Sequence, residues 1–92
     1  MGDIALCIPR ISVNFTKNYI NEKIRKLNWG FIENINEIPL LKEKDFKRIV
    51  IKLKWNNNSS TIHYKKLLNQ GNCVKLVYDT NLPWFWRINK FN

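Results

Sequence analysis

Trp84-Phe85-Trp86, set between Pro83 and Arg87, gathers the recognition chemistry of this chain into one short stretch. Adjacent large aromatics offer flat π-faces on which any nucleobase can stack, and a cation beside them can neutralise a phosphate. The same side chains can instead fill a core or anchor a protein interface. Further cations recur along one alternating stretch, at Arg48, Lys52 and Lys54, with Arg10 and Lys75 elsewhere. Twelve of the sixteen basic residues are lysines, which suit diffuse phosphate contact better than bidentate reading of base edges.

Catalytic and metal chemistry have no comparable support. The two cysteines, Cys7 and Cys73, and the lone His63 lack the close spacing of a zinc site. No acid or nucleophile is placed to partner His63. Residues Arg10 to Phe15 contain no glycine with which to cradle a phosphate. The expectation is a chain that is not an enzyme, with no catalytic residue, no metal and no cofactor.

Composition sets the partner class. A net charge of +9 on 92 residues, with pI near 9.9, favours an anionic partner. Ile, Asn and Lys together supply 38 of the 92 residues and share A/T-rich codons, so the position of a charge carries more weight than the total. Pro9-Arg10 interrupts the first apolar stretch, so neither a secretory leader nor a spanning segment is expected. The chain is therefore expected inside the cell, off the membrane, with its thiols reduced.

Periodicity supplies the elements that must position these groups. Ile4 to Ile11 alternates as a strand, with Leu6 and Ile8 on one face and Cys7 and Pro9 on the other. Thr16 is placed to cap a helix that gathers Ile20, Ile24 and Leu27, and Gly30 is placed to stop it. Phe31 to Ile38 is a second strand, ended by Pro39. Phe46 to Trp55 alternates most clearly, with Ile49, Ile51 and Leu53 opposite Arg48, Val50, Lys52 and Lys54. The polar run from Asn56 to Ser60 leads into a helix over residues 61–70, buried through Tyr64, Leu67 and Leu68, with Gly71 at its end. Cys73 to Tyr78 is a fourth strand, with Lys75 sharing the face of Arg48.

This order predicts an α+β fold: a ferredoxin-like βαββαβ sandwich over residues 1–78, followed by an aromatic C-terminal extension over 79–92. Its antiparallel sheet would have four strands in the order 4-1-3-2, with both helices on one face. Cys7 and Cys73 would then be neighbours on the open face. The small outward residues Ala5, Cys7, Val50 and Val77 would seat Trp84 or Trp86 as the extension folds across the sheet.

At this level the chain resembles the RNA-recognition-motif family. Leu6-Cys7-Ile8-Pro9-Arg10-Ile11 stands at the family's short motif, and Phe46-Lys47-Arg48-Ile49-Val50-Ile51-Lys52-Leu53 at its longer one. The family stacks bases on three exposed aromatics, at positions held here by Cys7, Arg48 and Val50; of these, Arg48 keeps a planar group that stacks. The chain is also similar to small proteins of large nucleocytoplasmic DNA viruses, through Ile8-Pro9-Arg10, Phe46-Lys47-Arg48-Ile49 and Val77-Tyr78-Asp79 followed by Pro83-Trp84-Phe85-Trp86-Arg87. That resemblance implies an RRM-like fold acting in the cytoplasm or nucleus of an infected cell.

Two functions follow as expectations. The first is binding of nucleic acid, RNA or single-stranded DNA and foremost single-stranded RNA, through Arg10, Arg48, Lys52, Lys54, Lys75, Trp84, Trp86 and Arg87. The second is a protein-interaction module that has kept the fold without the stacking motif and is anchored by Trp84, Phe85 and Trp86.

Overall fold

The computed structural model describes residues 4–79 and 84–91. The elements run β1 (Leu6–Ser12), α1 (Lys17–Arg25), β2 (Gly30–Pro39), β3 (Phe46–Trp55), α2 (Ser59–Asn69), β4 (Val74–Asp79) and β5 (Trp84–Lys90). Local signals set their ends. The Thr16 hydroxyl accepts from the Tyr19 amide at 3.1 Å, and the Asn58 side-chain oxygen accepts from the Thr61 amide at 2.8 Å, each satisfying an orphan donor of a first helical turn. Gly71 follows α2 at φ 88°, a conformation open to glycine.

Gly30 has a different role from the expected helix stop. Helix α1 ends earlier, and Asn28 takes the left-handed turn at φ 57°. Gly30 opens β2 where a Cβ would run into the Lys54 carbonyl of β3.

The five strands form one antiparallel sheet in the order β2-β3-β1-β5-β4. This differs from the predicted four-stranded order 4-1-3-2. Strand β5 stands between β1 and β4, so residues 84–90 belong to the sheet instead of crossing its open face. The first and fourth strands never touch as neighbours. Since β5 is antiparallel to β1, and β4 to β5, β4 runs parallel to β1 and opposite to β3. The link through α2 therefore joins two oppositely directed strands and is not the parallel crossover of a split βαβ unit.

Both helices cover one face. Ile20 and Ile24 of α1 and Leu68 of α2 pack with Leu6, Ile8, Ile11, Ile49, Ile51, Leu53, Leu76, Trp86 and Ile88. Two aromatic groups close this layer. Trp29 stacks on Trp55 at 5.6 Å and meets Tyr64 of α2, and the Trp55 indole donates to the Ile4 carbonyl at 2.9 Å. Trp86, 4% exposed, stacks on Tyr78 at 4.6 Å and meets Phe15 and Tyr19 edge-on. Lys47 lies on this helix side of β3, its ammonium donating to the Phe15 carbonyl at 2.6 Å and pairing with Glu37 at 3.5 Å.

Ile51 is fully buried in the middle of β3. Ile51→Ala is expected to lower unfolding free energy by about 2–5 kcal/mol in denaturant titration, through lost transfer energy and the cavity left behind. A loss under about 1 kcal/mol would contradict this placement.

Candidate nucleic-acid interface

The helix-free face collects the outward positions of four cation-bearing strands. On β3 these are Phe46, Arg48, Val50, Lys52 and Lys54, since Lys47, Ile49, Ile51 and Leu53 turn inward. Register aligns the rest. Arg48 lies between the pairs Ile8↔Ile49 and Ile11↔Lys47, across from the bulged Pro9 and Arg10 of β1. On the far side Lys75 of β4 stands directly opposite Arg87 of β5. Arg48, Arg10, Arg87 and Lys75 thus form a row across the strands, spanning three strand spacings of about 4.8 Å each.

Of the predicted site residues, Arg48, Lys52, Lys54, Lys75 and Arg87 are all exposed and share this face. Neither ion pair found among the described residues involves them. Arg10 joins them but is partly engaged: its Nε donates to Glu43 at 2.7 Å and its guanidinium lies 3.5 Å above the Phe46 ring. The two tryptophans are not brought to the face. Trp86 points to the helix side and is buried; Trp84, two residues away on the same strand, shares its side of the sheet and is 56% exposed. The seat predicted at Ala5, Cys7, Val50 and Val77 therefore holds no tryptophan.

Alternation along β5 delivers other aromatics instead. Phe85, Arg87 and Asn89 turn outward when Trp86 and Ile88 turn inward. Phe85 is 38% exposed, with the Lys75 ammonium 4.8 Å from its ring. Phe91, beyond the strand end, donates its amide to the Ala5 carbonyl at 2.9 Å and is also exposed. Phe31, paired with Lys54 across β2 and β3, is the most exposed of the three at 71%. Read from the sequence, Phe85 figures only as part of a protein anchor, and neither Phe31 nor Phe91 is singled out. The inward-outward pattern of Trp84, Trp86 and Ile88 against Phe85, Arg87 and Asn89 is the signal that would have found the two on or beside β5.

The ladder between β1 and β5 is short. It comprises Leu6↔Lys90 and Cys7↔Asn89, after which a recess of about 510 Å³ opens, lined by Pro9, Arg10, Phe85, Trp86, Arg87 and Asn89. A second recess, about 460 Å³ and lined by Val13, Leu40, Leu41 and Lys47 among others, lies at the β2–β3 turn.

Comparison with protein-family models, curated proteins and solved structures gives no match. Among the described residues no three His, Cys, Asp or Glu side chains gather as metal ligands, and no helix is long and apolar enough to cross a membrane. His63 is exposed on α2.

Cys7 and Cys73 are free thiols, one buried and one exposed. They are not the neighbours expected from the four-stranded order, because β5 separates β1 from β4. Two strand spacings of about 4.8 Å put them beyond the roughly 7 Å Cα separation that a disulfide can bridge. Burial pushes the Cys7 thiol up from its ordinary value, and nearby Arg48 offsets this only in part. Because thiolate is the reactive form, a thiol-alkylating reagent at mildly alkaline pH is expected to label Cys73 first, with Cys7 labelled only on unfolding. Equal labelling rates at both sites in the folded chain would contradict the burial of Cys7.

Proposed function

We propose that this chain binds single-stranded nucleic acid, RNA foremost, across the helix-free face of its sheet. The row Arg48, Arg10, Arg87 and Lys75 carries the reading. Like charges directly opposite each other on adjacent strands cost stability, on the order of 0.2–1 kcal/mol per pair, and Lys75 faces Arg87 in this way. Charge kept for solubility alone has no reason to accept that cost; a polyanion lying along the row removes it. Glu43 already pairs with Arg10 in this row, whereas the outward residues Arg48, Lys52, Lys54, Lys75 and Arg87 take part in neither ion pair found among the described residues.

Stacking comes from Phe85 and Phe91, with Arg48 as a planar cation, in place of the tryptophans. Lys52 and Lys54 extend the positive field toward Phe31. Exposed aromatic rings in a positive field favour unpaired bases, whose faces are accessible, over a duplex.

A protein partner is favoured by one separate observation, the exposed Trp84 on the opposite side of the sheet. If that is the operating surface, Trp84→Ala abolishes partner capture and oligonucleotides do not bind at all.

Binding of a short single-stranded oligonucleotide is expected to weaken steeply with salt. Replacing both Lys75 and Arg87 with glutamine should weaken it strongly at low salt and make the log–log salt slope shallower by about 1.4, at about 0.7 per lost phosphate contact. Stability should change by no more than about 0.5 kcal/mol per site. Absence of binding to both RNA and single-stranded DNA at low salt would sink the reading; an unchanged slope in the double variant would move the surface elsewhere.

A further inference from the structure

We propose that the recess between β1 and β5 is a pocket for one unstacked nucleobase of the bound strand. The inference rests on the nucleic-acid reading above and adds to it a place where base, not only backbone, is held. Its origin is a ladder that stops. The Phe91 amide donates to the Ala5 carbonyl and Cys7 pairs with Asn89, so every second residue of β1 turns its backbone polar groups toward β5. The next such position is Pro9, with Arg87 opposite it by continuation of the register. Pro9 has no N–H to donate, and the bulge between Ile8 and Ile11 bends β1 at this same point. The strands part, and the backbone N–H and carbonyl of Arg87 face an opening instead of a partner strand.

The opening suits a base in size and chemistry. Its volume of about 510 Å³ lies within the usual range for small-molecule sites. One donor and one acceptor on the Arg87 backbone, the Pro9 carbonyl and the Asn89 amide together match a base edge, which presents donors and acceptors side by side. The Phe85 ring at the rim offers a face for stacking. Arg87, Arg10 and Lys75 stand where the phosphates on either side of a splayed base would lie. Trp86 borders the same recess, while its indole is turned to the helix side and stacks on Tyr78. A duplex cannot supply such a base without unpairing it, so the occupant belongs to a single strand.

The test compares two probes of equal length and charge, a single-stranded RNA of about eight nucleotides and an abasic ribose-phosphate strand. The full chain is expected to bind the RNA at least about tenfold more tightly than the abasic strand. Pro9→Val restores an N–H at the interrupted position and lets β1 and β5 close; it should bring that ratio toward one while abasic binding persists. In the unmutated chain, nuclear magnetic resonance signals of the Phe85 ring and the Arg87 amide should move with the RNA and stay in place with the abasic strand. That second readout decides the matter if the Pro9 variant does not fold. Equal affinity for both probes overturns the pocket and leaves the nucleic-acid reading standing. So does a ratio unchanged by Pro9→Val with unmoved Phe85 and Arg87 signals, which places the base elsewhere on the face. Failure of both probes to bind defeats the underlying reading and the pocket with it.

Discussion

The burial of Trp86 under the helix layer is the constraint on which the rest of the molecule depends. Its indole ties β5 to Tyr78 of β4, to Phe15 after β1 and to Tyr19 of α1. Removing a tryptophan from water takes away roughly 200 Å² of surface, worth about 5 kcal/mol at 25 cal/mol/Å². The indole N–H left unpartnered costs about 1–3 kcal/mol of that. Burial wins, and with Ile88 turned the same way the whole segment is fixed as a strand between β1 and β4.

The outer face follows from that choice. Once Trp86 and Ile88 point inward, Phe85, Arg87 and Asn89 must point outward. Arg87 then falls opposite Lys75, completing the cationic row begun by Arg48 and Arg10, and Phe85 brings a ring to it. Pro9 limits how far β5 can zip onto β1, so the row crosses a gap instead of a closed sheet. The place of β5 in the sheet and the cationic outer face thus follow from one buried side chain and the strand parity it sets.

Local elements were legible in the sequence because their signals are local. The alternation from Phe46 to Trp55 gave β3 with its true ends and faces, and Thr16 and Gly71 marked helix boundaries as caps do. The order of the strands was not legible, because pairing of β5 with β1 joins residues more than eighty positions apart and leaves no periodic trace. Expecting Trp84 or Trp86 to seat on the open face reversed the alternation, which buries Trp86 on the helix side and leaves Phe85 outward. The cations on β3 and β4 were assigned to the right face since strand parity alone decides it; the tryptophans were not, since their face depends on which neighbours β5 acquires. Gly30 misled for a similar reason: the need for glycine arises from Lys54, a residue far along the chain.

The most direct test of β5 as an integral strand is the thermal unfolding of a chain ending at Asp79. Without Trp86 and Ile88 the inner faces of β1 and β4 lose their shared neighbour, so no cooperative transition is expected and amide hydrogens of β1 should exchange freely. A truncated chain that unfolds cooperatively near the temperature of the full protein, with β1 paired directly to β4, would contradict this and restore the four-stranded sheet.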